Sequence, residues 1–174
     1  LAIAHSRWAT HGQPTVKNAH PHYDCKKETF LVHNGIIENH DQLRTELLKK
    51  GHKFQSETDT ETVVHMIEEL MKKSSITFEE AIRQTLSLIK GTYAFAILNS
   101  KEPNKLVVAR NASPLLIGVG ESEYFVASDA SAVLPYTNQV IYLNDGEFAI
   151  LTPKEFRIAN LNRQPVHRKS QTLK

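Results

Sequence analysis

The chain has 174 residues, 40% of them hydrophobic, and a formal net charge of only +2. That size suits one domain with a sizeable core. The basic residues are dispersed, which argues against a nucleic-acid-binding surface, and no apolar run approaches the roughly 18 residues of a membrane span. The single cysteine excludes an internal disulfide, so we expect a soluble protein of the reducing cytoplasm.

The first fifty residues predict two strands separated by a loop, and then a helix. "LAIAHSR" (1–7) reads as a buried strand, and "GQPTVKNAHPHYDCKKE" (12–28) has the turn formers of a loop. "TFLVHNG" (29–35) predicts a short strand that ends at Asn-Gly. "ENHDQLRTELLKKG" (38–51) predicts a helix that stops at its glycine.

Two further helices and a series of strands are expected next. "TDTETVVHMIEELMKK" opens with Thr58 and Glu61, a pair that fits a capping box, and "SITFEEAIRQTLSLIKG" repeats the helical period. After Gly91 the pattern changes to seven short strands, and "NDGE" (144–147) predicts a hairpin between two of them. This order favours an α+β fold with two packed, mainly antiparallel sheets flanked by helices.

Three polar clusters carry the candidate chemistry: "HSRWATHG", "HNGIIEN" and "SETDTE". Arg7 is suited to gripping a carboxylate, and Asp59 to pairing with a ligand ammonium, which together describe a site for a free amino acid. Asn34 and Gly35 are suited to donating hydrogen bonds to a developing oxyanion. Taken singly, Asp59 is better explained as a helix-start charge, and Asn34-Gly35 as a tight turn.

The stretch "HPHYDC" holds metal-ligand residue types at close spacing: His20, His22, Asp24 and Cys25. No second cluster at a zinc-like distance follows it, so we assign no metal. Cys25 also has the neighbours Lys26 and Lys27, which would lower a thiol pKa, but a lone cysteine is weak evidence for a nucleophile.

In combination the motifs resemble one known family. "HSRWATHGQPTVKNAHPH", "VHNGIIENHDQLR" and "SETDTE" are similar to the glutaminase domain of the glutamine–fructose-6-phosphate aminotransferases, the glucosamine-6-phosphate synthases. These are class II glutamine amidotransferases, within the N-terminal nucleophile hydrolases. "GTYAFAIL", "VVARN", "PLLIGVG" and "ASDASAVLPYT" also match, so the resemblance covers nearly the whole chain.

The resemblance implies an α+β, four-layer α/β/β/α sandwich and a role for each candidate residue. Arg7 would grip the glutamine α-carboxylate and Asp59 the α-ammonium, while Asn34 and Gly35 would form the oxyanion hole. A loop would close over the substrate and line the same pocket with Trp8, Thr10 and His11. The implied activity is glutamine hydrolysis that supplies ammonia for converting fructose 6-phosphate to glucosamine 6-phosphate, in a homo-oligomeric enzyme without a cofactor.

The chain also departs from the family pattern. The family's nucleophile is a cysteine at the mature N-terminus, whereas this chain starts with Leu1. We therefore expect residues 1–162 to be a glutamine amidotransferase domain incomplete at its N-terminus and inactive by itself. Residues 163–174 would begin a linker to a sugar isomerase domain. Cys25 falls where the family has no catalytic cysteine, so we interpret it as a bystander.

Three alternatives stay open. The first is a domain of the same fold that binds an amino acid and never catalyses. The second is another class II amidotransferase, although those of purine or asparagine synthesis usually follow Asn-Gly with something other than "IIEN". The third is a metal-binding α+β domain that uses His20, His22 and Cys25.

Overall fold

Two antiparallel sheets and three helices make up the fold. The computed structural model describes residues 1–7 and 12–173. The larger sheet has the order β1 (His22–Tyr23), β2 (Thr29–Ile37), β3 (Gly91–Asn99), β4 (Leu106–Asn111), β8 (Glu147–Leu151), β9 (Phe156–Asn160) and β10 (Pro165–Val166). The smaller sheet has the order β11 (Gln171–Thr172), β7 (Gln139–Tyr142), β5 (Leu116–Val119) and β6 (Tyr124–Ala127). All seven strands expected after Gly91 are present.

The layers follow from which face of each strand is apolar. The helices α1 (His40–Lys49), α2 (Thr60–Met71) and α3 (Phe78–Leu88) cover one face of the larger sheet. Successive residues of a strand point to opposite faces of that sheet. Val107, for example, packs against the helices, and Val108 packs against the smaller sheet. Beyond the smaller sheet lies a thin outer layer, the 3₁₀ helix Ala130–Ala132 with the buried Val133.

Several local expectations are wrong. Residues 1–7 form no strand, because no strand among the described residues pairs with them. The "NDGE" turn joins no hairpin: β7 and β8, on either side of it, belong to different sheets. The turn instead connects the two sheets, and the Glu147 carboxylate stabilises it by accepting the Asn144 N–H at 2.8 Å.

The start of α2 also differs from the expected capping box. Glu61 accepts the N–H groups of Gln55 and Ser56 at 2.6 and 2.7 Å, and not that of Thr58. The Thr58 hydroxyl contacts the ring of His22 at 2.9 Å. The Glu61 carboxylate therefore orders the segment before the helix, one turn further back than the motif predicts.

Two glycines allow β2 and β3 to approach closely where both strands reach the site. A Cβ on Gly35 (φ +141°) would lie 2.2 Å from the Thr92 carbonyl oxygen, and one on Gly91 (φ +118°) would lie 2.1 Å from the Ile36 oxygen. Both positions thus exclude a side chain by contact as well as by backbone conformation.

The last residues continue to pack on both sheets. β10 pairs with β9 and β11 pairs with β7, and the Arg168 guanidinium hydrogen-bonds the Glu147 carboxylate. The boundary expected at residue 162 stays a prediction, but two short pieces of the segment after it, Pro165–Val166 and Gln171–Thr172, pair with strands of the domain. Within residues 1–7 and 12–173, no helix is long and apolar enough to cross a membrane.

We expect Gly91→Ala to lower the free energy of unfolding by more than about 3 kcal/mol, because β2 and β3 must separate. Gly51 is the matched control: its φ is +88°, but no atom lies within 4 Å of the place that a Cβ would take there. Gly51→Ala should cost only about 1 kcal/mol of backbone strain. Urea denaturation of the two variants measures the difference, and equal losses would contradict the close approach.

Candidate functional site

The cavity that holds the candidate residues has a volume of about 310 Å³. The structure brings Arg7, Asn34, Gly35 and Asp59 together in its wall, although they are far apart in sequence. Trp8, Thr10 and His11, the other predicted site residues, lie outside the described part of the chain. The cavity is large enough for a free amino acid and is lined mainly by polar groups.

Asp59 stands at the start of α2 but does not cap it. Its side chain is buried (3% exposed), and its Oδ2 accepts the Ile37 N–H at 2.7 Å. In the described structure the carboxylate makes no capping hydrogen bond to the helix backbone. Among the described residues, its Oδ1 has only the Thr60 hydroxyl at 3.4 Å. Asp59 therefore gives α2 no capping hydrogen bond, although its carboxylate lies at the helix start, and it lines the cavity. Its pairing with a ligand ammonium stays a prediction.

Asn34 and Gly35 do not form a turn. β2 runs through them to Ile37, with Asn34 opposite Ala94 and Gly35 opposite Tyr93. The side chain of Asn34 is exposed and lines the cavity, and Gly35 presents bare backbone beside it. An amide side chain next to an unobstructed backbone is the arrangement that an oxyanion hole requires.

Arg7 lies at the cavity wall in a left-handed backbone conformation (φ 41°). Its guanidinium donates to the carbonyl oxygens of Gly12 and Gln13 at 3.0 and 3.2 Å. The backbone N–H of Arg7 donates to Nδ1 of His5 at 3.0 Å. Arg7 therefore ties the two ends of segment 8–11 together at the cavity, and its grip on a ligand carboxylate stays a prediction.

Histidines form the back of the cavity and are kept neutral. His33 Nε2 lies 3.2 Å from the Thr92 carbonyl, which can only accept, so Nδ1 accepts from the Thr60 hydroxyl at 3.0 Å. Burial lowers the pKa of His33. His20 accepts the His33 N–H at 3.2 Å, and its ring stacks on His5. Burial and the neighbouring His22 lower the pKa of His20 to about 3.

Eight of the residues that line the cavity were not predicted as site residues: Ala4, His5, Ser6, His20, His33, Thr58, Thr60 and Ser128. His33 directly precedes Asn34, and the two threonines flank Asp59, so the motifs contained them. The sequence places His20 close to Cys25, and both are residue types that can bind a metal. The structure separates them, since His20 lines this cavity and Cys25 does not.

Cys25 is therefore not a nucleophile for this cavity. Its pKa is raised, not lowered: desolvation outweighs the hydrogen bond that its sulfur accepts from the Lys53 N–H, and the Glu68 carboxylate adds to the rise. The expectation that Lys26 and Lys27 lower the thiol pKa is wrong, because burial and the Glu68 carboxylate raise it.

Comparisons with known proteins show the family to which the chain belongs. The glutamine amidotransferase domain, as a family, matches residues 5–135. The glutamine–fructose-6-phosphate aminotransferase [isomerizing] of Thermococcus kodakarensis is 53% identical over 98% of this chain, and that of Aquifex aeolicus is 50% identical over 94%. This chain spans only 29% and 27% of the length of those two relatives.

A solved structure confirms the fold class. The glutamine phosphoribosylpyrophosphate amidotransferase of B. subtilis, determined with ADP and GMP, superposes with a TM-score of 0.75 at 28% identity. The match covers 92% of this chain and 35% of that one. The two-sheet α+β sandwich expected from the sequence is thus the fold of an amidotransferase.

Acid should destabilise the protein through His20 and His22. Burial, the largest cause for each ring, lowers their folded-state pKa values from 6.5 to about 3 and about 4. Below pH 6.5 the unfolded chain therefore binds more protons than the folded protein does. The free energy of unfolding keeps the full contribution of the neutral rings above pH 6.5 and falls as the pH drops, by at most about 1.4 kcal/mol per pH unit for each ring.

The window between pH 6.5 and 5 separates this effect from carboxylate titration. Urea denaturation across that window should show a flatter slope in His20→Asn and His22→Asn than in the wild type. His167→Asn, which alters an exposed ring, is the control and should keep the wild-type slope. An unchanged slope in all variants would mean that the two histidines are not buried neutral.

Proposed function

Because the glutamine amidotransferase domain matches three quarters of it, the chain belongs to the glutamine amidotransferase family, and we propose that it is the glutamine-binding part of a glutamine–fructose-6-phosphate aminotransferase. In that enzyme the domain releases ammonia from glutamine, and the ammonia serves to convert fructose 6-phosphate to glucosamine 6-phosphate. The proposal takes its sugar substrate from the relatives, which the chain matches over less than a third of their length.

One observation carries the proposal: a carboxylate, an amide beside bare backbone, and a guanidinium surround a single cavity. Glutamine needs these three partners. Its α-ammonium pairs with Asp59, whose Oδ1 is accessible, and its α-carboxylate lies toward Arg7. Its side-chain amide then extends to Asn34 and Gly35, where the carbonyl oxygen accepts hydrogen bonds.

Hydrolysis proceeds by attack of a thiolate on the carbonyl carbon of the glutamine side-chain amide. The electron pair moves to the carbonyl oxygen, which Asn34 and Gly35 stabilise, and returns as the C–N bond breaks and a proton converts the leaving group to ammonia. Water then cleaves the γ-glutamyl thioester to glutamate and restores the thiol. The only cysteine of these 174 residues lies outside the cavity, so another thiol must serve.

The remaining parts of the proposal concern the whole enzyme. Residues 1–162 form the amidotransferase unit, and the segment from 163 leads to a sugar isomerase domain that receives the ammonia. Trp8, Thr10 and His11 belong to the loop that closes over glutamine. The enzyme acts in the cytoplasm as a homo-oligomer, and the glutaminase step uses no cofactor. Binding without catalysis is the second candidate for this chain, favoured by the position of its one thiol outside the cavity.

Asp59→Asn should weaken glutamine binding on the order of 10²-fold, because it removes the charge partner of the ammonium while keeping an oxygen for the Ile37 N–H. Isothermal titration of the chain with glutamine measures the change. Asp24→Asn is the matched control, since Asp24 is equally buried and accepts the backbone N–H groups of Glu28 and Thr29. Equal glutamine affinities in the wild type and both variants would remove Asp59 from the site.

The chain by itself should release no ammonia from glutamine, since its one thiol does not reach the cavity. A coupled ammonia assay on the wild type and on Cys25→Ala should give the protein-free rate for both. Glutamine-dependent ammonia release that disappears in Cys25→Ala would place the nucleophile at Cys25 and contradict the mechanism.

A further inference from the structure

A second cluster of reactive side chains lies outside the cavity. Cys25 comes from the turn between β1 and β2, His52 from the connection after α1, and His65 and Glu68 from α2. One ligand atom from each of these residues lies within 4.8 Å of all the others. None of the four lines the glutamine cavity.

The distances match the edges of a metal tetrahedron. The Cys25 sulfur lies 3.9 Å from His52 Nδ1 and 3.7 Å from His65 Nδ1. Around zinc, bond lengths of about 2.3 Å to sulfur and about 2.0 Å to nitrogen place such atoms roughly 3.5 Å apart. Glu68 Oε2 lies 3.3 Å from His65 Nδ1, close to the same expectation, and 2.9 Å from His52 Nδ1, so a bound zinc ion would widen this last pair.

The outer nitrogens of both rings face carboxylates. His52 Nε2 lies 2.9 Å from Glu69 Oε2, and His65 Nε2 lies 3.4 Å from Glu61 Oε1. If Nε2 of each ring carries the hydrogen, Nδ1 keeps a lone pair that can bind a metal, and Nδ1 is the atom that points into the cluster. This is how metal-binding histidines are oriented in proteins, through a carboxylate behind the ring.

Two backbone N–H groups support the other ligands. The Lys53 N–H lies 3.3 Å from the Cys25 sulfur, and the Cys25 N–H donates to Glu68 Oε2 at 3.2 Å. His52, His65 and Glu68 are buried, at 4%, 1% and 7% exposure, so water competes little for their ligand atoms, whereas Cys25 closes the cluster from the exposed side. Sulfur and imidazole ligands favour zinc over magnesium or calcium, which prefer oxygen.

We propose that Cys25, His52, His65 and Glu68 bind one zinc ion in a closed, four-ligand structural site. Four protein ligands leave no position for a substrate, which distinguishes it from a catalytic zinc. The ion ties the β1–β2 turn and the α1–α2 connection to α2. Because the first residue before α2 is Asp59, the zinc also steadies the helix whose start forms the wall of the glutamine cavity.

Metal analysis of the purified chain, with zinc as the added metal, tests the proposal. The wild type should retain one zinc per chain after gel filtration, and a chelator should lower its melting temperature. Cys25→Ala should weaken zinc binding on the order of 10²-fold, since it removes one of four ligands. Glu69→Gln, which leaves all four ligands in place but neutralises the carboxylate behind His52, should weaken it roughly 10- to 100-fold. His167→Asn, at an exposed ring, should bind zinc as the wild type does.

Cobalt(II) replacement gives a readout that does not depend on how well the variants fold. The wild-type chain loaded with cobalt should show the visible bands of a tetrahedral ion and a near-ultraviolet sulfur-to-cobalt band, and excess zinc should remove both. A wild type without stoichiometric zinc and without the sulfur-to-cobalt band overturns the proposal. So does a Cys25→Ala protein that binds zinc as tightly as the wild type, because the sulfur would then not be a ligand.

Discussion

The site depends on one hydrogen bond, from the Ile37 N–H to Asp59 Oδ2 at 2.7 Å. It joins the end of β2 to the start of α2, and so holds Asn34 and Gly35 at a fixed place relative to the Asp59 carboxylate. Because the acceptor is buried and charged, the bond is stronger than an exposed neutral one. It also occupies one carboxylate oxygen and thereby directs the other toward the cavity.

Helix α2 connects the two clusters of reactive side chains. Nine of its twelve residues are buried, which is unusual for a helix that lies on a sheet and indicates contacts on several sides. Its first turn contributes to the glutamine cavity, and its next two turns carry His65 and Glu68. A rigid α2 matters to the site because a small displacement of Asp59 would misplace the amino-acid end of the substrate relative to Asn34.

The sequence predicted the helices, the strands after Gly91 and four of the cavity residues, Arg7, Asn34, Gly35 and Asp59, since each depends on local periodicity or on a contiguous motif. It failed where pairing between distant segments decides the outcome. "NDGE" has the residues of a hairpin, but β8 pairs with β4 and not with β7. Asn34-Gly35 has the residues of a turn, but a continuous ladder with β3 keeps it extended.

The Cys25 cluster escaped notice for the same reason. Cys25 and His52 are 27 residues apart, and only the fold brings them beside His65 and Glu68 of α2. The sequence instead grouped Cys25 with His20 and His22, its near neighbours. Packing turns those two side chains toward the cavity and its threonines, because alternate residues around β1 face opposite ways.

A crystal structure of the chain with bound glutamine tests the central claim most directly, because it measures the orientation of the ligand. We expect the α-ammonium to lie within hydrogen-bonding distance of Asp59 Oδ1, and the side-chain carbonyl oxygen to lie within reach of Asn34 and Gly35. Glutamine bound in the reverse orientation, or at a place other than this cavity, would contradict it.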